Sequence, residues 1–195
     1  VNPVNREKLV EFALYGEEIA SGGRHADNVA PSVFGGITLI RNLEPIEVIN
    51  LPYPELYCVI IHPHLQVETK GARGILSPTV ALKKYVEQSA QLAATVCALY
   101  TKDIELLRRA MQDLIIEPQR AALVTGYYAV KQAALDAGAI SATFSGSGPS
   151  LLAFCANQAQ AEVVAQAMLA AFQAHAIAAD HWISPINPHG AYLIA

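Results

Sequence analysis

A chain of 195 residues with 53% apolar and 15% charged side chains has ample material for a buried core, and so few charges exclude a disordered polymer. Its formal net charge of −4 excludes a broad basic surface for generic nucleic-acid binding. No apolar run approaches the ~20 residues that cross a bilayer, so no membrane partner is expected.

The chain opens Val1-Asn2-Pro3, without an initiator Met or a signal-peptide pattern, and reads as part of a longer protein. Asn2-Pro3 is a helix start, a capping Asn followed by Pro in the first turn. It predicts a helix through about Ile19, with Leu9, Phe12, Ala13 and Gly16 on its apolar face. Ser21-Gly22-Gly23 ends that helix, and Arg24-His25-Ala26-Asp27-Asn28 follows as a dense polar cluster. Val29 to Ile40 reads as strand material broken by Gly35-Gly36, and Glu47 to Ile49 as a short strand. Pro52 and Pro54 mark a break, which places a domain boundary between residues 1–54 and 55–195.

Beyond the break, Leu56 to Ile61 is an apolar run suited to a strand buried on both faces. Ser77-Pro78 predicts the start of a helix to about Tyr100, and Asp103 the cap of a second, with Ile104, Leu107, Met111 and Leu114 at helical spacing. Pro118 starts a third, ending at Gly138. Ile140 to Phe144 and Ser150 to Ala156 read as strands on either side of a Gly-rich turn. A helix over about Gln158 to His175 follows, then closing strands at His181 to Ile186 and Ala191 to Ile194. The sum is an α+β fold with helices on one face of a mainly antiparallel sheet. Cys58, Cys97 and Cys155 sit among apolar neighbours, odd in number and without a Cys-x-x-Cys pair. They read as free thiols in a reducing, cytoplasmic setting.

Six places can carry chemistry. The turn Ser145-Gly146-Ser147-Gly148-Pro149-Ser150 is either an ordinary Gly-rich hairpin or a nest of N–H groups for a phosphate. Glu17, near a predicted helix end, is either a solvated carboxylate or a Mg²⁺ ligand, and Glu18 is equivalent by composition. The cluster at residues 21–28 reads either as local turn chemistry or as a substrate loop, in which His25 is a base, a donor to a carboxylate, or a loop histidine. Thr69-Lys70-Gly71-Ala72-Arg73 brings a hydroxyl and a guanidinium close in sequence, and Arg120 follows Glu117-Pro118 at a helix start. Arginine is the best planar donor to a carboxylate, although a surface ion pair is the more ordinary account of each. His62 and His64 alternate at a strand end as weak metal candidates.

Together these motifs resemble the homoserine kinases of the GHMP superfamily. Ser145-Gly-Ser-Gly-Pro-Ser150 followed by Leu-Leu-Ala is similar to the third GHMP motif. His25-Ala-Asp-Asn-Val-Ala-Pro31 followed by Gly35-Gly36 is similar to the family's substrate signature. Thr69-Lys-Gly-Ala-Arg73 and Glu117-Pro-Gln-Arg120 fall where the family binds substrate. The resemblance implies a ferredoxin-like carboxy-terminal domain over residues 55–195, and the tail of the amino-terminal nucleotide and substrate domain over 1–54. It implies ATP-dependent phosphorylation of L-homoserine on the threonine pathway, with ATP and Mg²⁺ required. His25, Asn28, Thr69, Arg73 and Arg120 would bind the amino acid, Ser145, Gly146, Ser147 and Gly148 would support the phosphate loop, and Glu17 would hold Mg²⁺. Asp27 is the candidate base by likeness to a Ser-Gly-x-Asp-Asn motif, whose two halves stand further apart here. Transfer without a strong base is the alternative. The second GHMP motif, Pro-x-x-x-Gly-Leu-Gly-Ser-Ser-Ala, is absent from these residues, so the chain alone is expected to be inactive. A homodimer is left open. Rival readings are another GHMP small-molecule kinase and a non-catalytic ferredoxin-like regulatory or dimerisation module.

Overall fold

The computed structural model describes residues 4–65 and 74–192. They form two units, one of residues 4–53 with 186–192 and one of residues 54–185.

In the first unit, helix α1 (Arg6–Ser21) begins at Asn5, whose side chain accepts the Lys8 N–H at 2.8 Å. The expected start at Asn2-Pro3 lies outside the described residues. Gly22, at φ 75°, closes the helix as only glycine does without strain. The buried face of α1 is Val10 and Leu14, not the expected one, since Leu9 and Phe12 are 43% and 55% exposed. Helix α2 (Ala26–Phe34) takes the first half of what the sequence reading took for strand, Val29 to Ile40. The spacing that decides it is Ala26, Ala30 and Phe34, a four-residue repeat that buries one helical stripe. Val29 and Val33 flank that stripe and pack on the same core, so their β-branching does not prevail against burial. The hairpin β1 (Ile37–Leu43) and β2 (Ile46–Leu51) pairs antiparallel, Leu39 opposite Ile49, and Ile46 joins Val10, Leu14 and Phe34 in the core.

Residues 186–192 run beside α2, where Ala191 N–H donates to the Ser32 carbonyl and Gly36 N–H to the Asn187 carbonyl, each at 2.8 Å. A Cβ at Gly190 would fall 1.9 Å from the Val33 carbonyl oxygen, so the approach requires glycine. Ala191 and Tyr192 belong to no strand, contrary to expectation. The Ala191 N–H is engaged with the end of α2 instead of a sheet, and the rest of the expected strand, residues 193–194, lies outside the described residues.

The second unit is a four-stranded antiparallel sheet in the order β4-β5-β3-β6. Its strands are β3 (Tyr57–Pro63), β4 (Ser141–Phe144), β5 (Leu151–Cys155) and β6 (Ala179–Pro185). The apolar run foreseen at 56–61 is β3, between β5 and β6. Across one row Ile183, Val59, Ala153 and Ala142 stand in register, and the row lies in the core. Helices α3 (Leu82–Thr101), α4 (Ile104–Ala110), α5 (Glu117–Arg120), α6 (Tyr127–Asp136) and α7 (Gln158–Ala174) complete the unit. Tyr127 and Val130 of α6 and Val164, Met168 and Phe172 of α7 are buried with that face of the sheet. This is an α+β, ferredoxin-like arrangement.

Two helix boundaries differ from the sequence reading. Ser77 does not cap a helix; its hydroxyl bonds the Thr79 carbonyl at 2.7 Å, and α3 starts at Leu82. The single helix expected from Pro118 to Gly138 is broken. A 3₁₀ turn over Ala121–Leu123 follows α5, and Gly126, at φ 81°, resets the chain before α6. A Cβ at Gly126 would lie 2.6 Å from His175 Cδ2, so this turn also accepts no side chain without displacement.

Candidate functional site

In the first unit the site candidates gather where α1 ends and α2 begins. Glu17 lies on the last turns of α1, and its Oε1 is 4.0 Å from His25 Nδ1. His25 is the N-cap of α2 and its imidazole lies over Gly23, where a Cβ would meet Cε1 at 2.3 Å. Asp27 and Asn28 are exposed on the first turn of α2. Pro31 has no N–H to give the Asp27 carbonyl, and the Asn28 carbonyl accepts the Ser32 hydroxyl at 2.8 Å. Glu18 is exposed, and the contact with His25 is made by Glu17. Arg24 faces elsewhere: its guanidinium pairs with Glu44 on the hairpin turn and lies 5.7 Å from the Tyr15 ring centroid.

Mg²⁺ takes oxygen ligands and keeps several from water and phosphate. Glu17 offers one carboxylate of the right chemistry, and the described residues hold no cluster of three His, Cys, Asp or Glu. The donor set fits an ion whose remaining ligands come from a phosphorylated substrate and water. His62 and His64, the weak metal candidates, have other partners. His62 Nδ1 is 2.8 Å from Ser150 Oγ, and His64 Nε2 is 2.8 Å from Asp180 Oδ2.

In the second unit, strands β4 and β5 launch and receive the Gly-rich turn. Ser145 N–H donates to the Ser150 carbonyl at 2.8 Å and Gly148 N–H to the Ser145 carbonyl at 3.1 Å. The Gly146 and Ser147 N–H groups take no part in the loop's own backbone bonds. Gly146 has φ 60° and open space where a Cβ would be. Two successive N–H groups around a left-handed glycine are the chemistry of an anion nest. Arg120, the last residue of α5, donates from Nη1 to the Gly146 carbonyl at 3.3 Å, while its Nε is buried without a partner among the described residues. Thr69 and Arg73 lie outside the described residues.

The sequence reading missed the group beneath Arg120. Glu117 is buried, accepts from Lys131 Nζ at 2.5 Å and accepts the Thr143 hydroxyl at 3.0 Å. Burial, and then the Glu117 carboxylate beside it, push the Tyr127 phenol far above its ordinary value. Burial alone pushes the Cys58 thiol up to about 11, and burial followed by the charge of Cys58 raises Cys155 to about 11. Both are unreactive thiols at neutral pH. No helix among the described residues is long and apolar enough to cross a membrane.

Known proteins resemble this chain in sequence and in fold. A model of the family described as GHMP kinases C terminal matches residues 95–174. That match, over a ferredoxin-like antiparallel sheet, places residues 95–174 with the GHMP kinase superfamily. A homoserine kinase of Chlorobium phaeobacteroides (strain BS1) is 44% identical over 98% of this chain and 61% of its own length. One of Chloroherpeton thalassium is 42% identical over 99% of this chain and 61% of its own length. The crystal structure of a homoserine kinase from Cytophaga hutchinsonii superposes with a TM-score of 0.93 at 44% identity, covering 97% of this chain and 60% of that one. Within the superfamily, the chain belongs to the homoserine kinase family. It spans about 61% of the length of the curated relatives it matches.

Proposed function

We propose that the protein carrying this chain transfers the γ-phosphoryl group of ATP to the hydroxyl of L-homoserine, giving O-phospho-L-homoserine. The observation that carries the reading is the 44% identity to a homoserine kinase across 98% of the chain. The Arg120 guanidinium beside the Gly-rich loop supports it further. In the first unit, His25 and Asn28 contact the amino acid, and Glu17 is the carboxylate for Mg²⁺. The ion neutralises charge on the transferred phosphates. In the second unit, Arg120 anchors the substrate carboxylate, as a guanidinium does best. Gly146 and Ser147 offer N–H groups to a phosphate, and Ser145 and Gly148 hold the loop's shape by bonding to each other. Thr69 and Arg73 are further amino-acid contacts. Asp27 on the first turn of α2 is the candidate to take the hydroxyl proton. We assign residues 1–54 as the tail of a nucleotide and substrate domain and 55–195 as the carboxy-terminal domain, of which residues 186–192 pack as part of the first unit.

Phosphoryl transfer depends on positioning and charge stabilisation, and the 195 residues lack the Pro-x-x-x-Gly-Leu-Gly-Ser-Ser-Ala loop. The test is an ADP-release assay on the full-length protein with ATP, Mg²⁺ and alternative acceptors. Homoserine should be the preferred acceptor. Its analogue without the carboxylate, 3-aminopropan-1-ol, should lose about 10- to 150-fold in kcat/KM, the worth of a charged hydrogen bond. Equal use of the two acceptors would overturn the carboxylate anchor. Preference for a sugar or an isoprenoid alcohol would overturn the substrate.

A further inference from the structure

Glu117 is the only buried charged residue among the described residues, and a buried carboxylate is costly unless every lone pair is answered. Here its two oxygens are answered from different elements. Lys131 on α6 donates to Oε1 at 2.5 Å, and Thr143 on β4 donates to Oε2 at 3.0 Å. The backbone N–H of Glu117 is held by Asp113 Oδ2 at 3.0 Å, and the same aspartate caps Ile115 and Ile116.

Glu117 opens α5, a helix of 4 residues that ends at Arg120. One turn of helix does not hold its own geometry, because nucleation is unfavourable without outside contacts. The direction in which Arg120 projects is therefore set by what its first turn is tied to. Thr143 lies two residues before Ser145, where the Gly-rich loop begins, and Arg120 donates to the Gly146 carbonyl in that loop. The links close a ring: Glu117, along α5 to Arg120, across to Gly146, back along the chain to Thr143, and by hydrogen bond to Glu117. A well-packed apolar pair in place of Glu117 and Lys131 would serve stability equally well. What such a pair would not supply is a directional link between the helix and the strand.

We propose that Glu117 is a positioning residue for acceptor binding, its carboxylate fixing the helix that carries Arg120 against the strand that launches the Gly-rich loop. The proposal rests on the reading of Arg120 as the anchor of the substrate carboxylate.

The test uses the full-length protein and the nearly isosteric substitution Thr143→Val, which removes the strand's link and leaves the Glu117–Lys131 pair intact. Displacement of a positioned group by about 1 Å costs up to about 100-fold, so a partial release of α5 should lower kcat/KM for homoserine about 10-fold. The loss should appear in the KM for homoserine, with the KM for ATP within about twofold of wild type. Thr143→Ser, which restores the hydroxyl, should recover the wild-type KM for homoserine. Introduced into Arg120→Ala, Thr143→Val should cause no further loss, because both act through one guanidinium. A lowered Tm with an unchanged KM for homoserine would overturn the proposal, as would full additivity with Arg120→Ala. Absence of homoserine-dependent turnover in the wild type would instead sink the functional reading itself.

Discussion

Two glycines of the same loop should respond to the same substitution in opposite ways. Gly146 and Gly148 both have positive φ, 60° and 81°, but their surroundings differ. A Cβ at Gly146 would meet nothing within 4 Å, whereas one at Gly148 would lie 2.9 Å from Phe144 Cδ1 and 3.1 Å from Cε1. Phe144 is not free to yield. Its ring is stacked on Tyr127, with centroids 4.2 Å apart and planes 19° apart, and Tyr127 is fully buried. Gly146→Ala should therefore incur only left-handed strain, about 1–2 kcal/mol, less about 0.5 kcal/mol from the stiffer unfolded chain. Gly148→Ala adds overpacking of about 1–3 kcal/mol, for a total of about 1.5–4.5 kcal/mol. Urea unfolding of the full-length variants, read from the midpoint at constant slope, measures the difference. Turnover should reverse the order of the two variants per folded molecule. Gly146→Ala places a methyl group beside the N–H groups proposed for phosphate and should raise the KM for ATP. Gly148→Ala should lower stability first. Equal destabilisation by the two substitutions, or a larger loss at Gly146, would refute the steric argument.

Arg120→Ala should raise the KM for homoserine about 10- to 150-fold and leave that for ATP nearly unchanged; steady-state kinetics with each substrate varied in turn decides it, and an effect confined to ATP would reject the anchor. In the native protein at pH 8, Cys97, which is exposed, should react with a thiol reagent well before Cys58 and Cys155, whose thiols burial raises to about 11. Labelling followed by peptide mass mapping reads the order, and early modification of Cys155 would contradict its burial. Asn157→Ala removes the side chain that accepts the Gln160 N–H at 2.9 Å at the start of α7. It should cost about 0.5–2 kcal/mol in urea unfolding, and no change in the midpoint would show that the cap does not contribute.

Much of the second unit was legible because its signals are local. The continuous apolar run before Pro63 reads as a central strand, and Asp103 accepts the Leu106 N–H at 2.9 Å as a capping aspartate should. The Gly-rich turn lies between strands as the flanking apolar residues suggest. The failures are places where tertiary contact overrides local preference. Helix α2 carries Val29, Val33 and an internal Pro31, all poor helix formers, and is fixed by the burial of Ala26, Ala30 and Phe34 against α1 and the hairpin. The break at Gly126 answers His175, 49 positions along the chain, which no local pattern announces. The same holds for Glu117. By composition it is one more surface carboxylate, and its burial depends on Lys131 and Thr143 from separate elements. A Glu beside a Pro at a helix start, three residues before a candidate Arg, is the only trace of that role in the sequence. Within the polar cluster, density in sequence did not separate Arg24, which pairs with Glu44, from His25, which neighbours Glu17.

The central claim is that these residues carry the acceptor side and the supporting phosphate loop of a homoserine kinase, but not the helix-start loop that cradles ATP. Its most direct test is ADP release with homoserine, Mg²⁺ and ATP, measured in parallel on the full-length protein and on residues 1–195 alone. Removing one preorganised donor from a charge-stabilising site costs about 10²–10³ in rate, and here several are absent together. The full-length protein should show homoserine-dependent turnover, and residues 1–195 should stay at background until the amino-terminal part is added back. Turnover by residues 1–195 at the full-length rate would contradict the account.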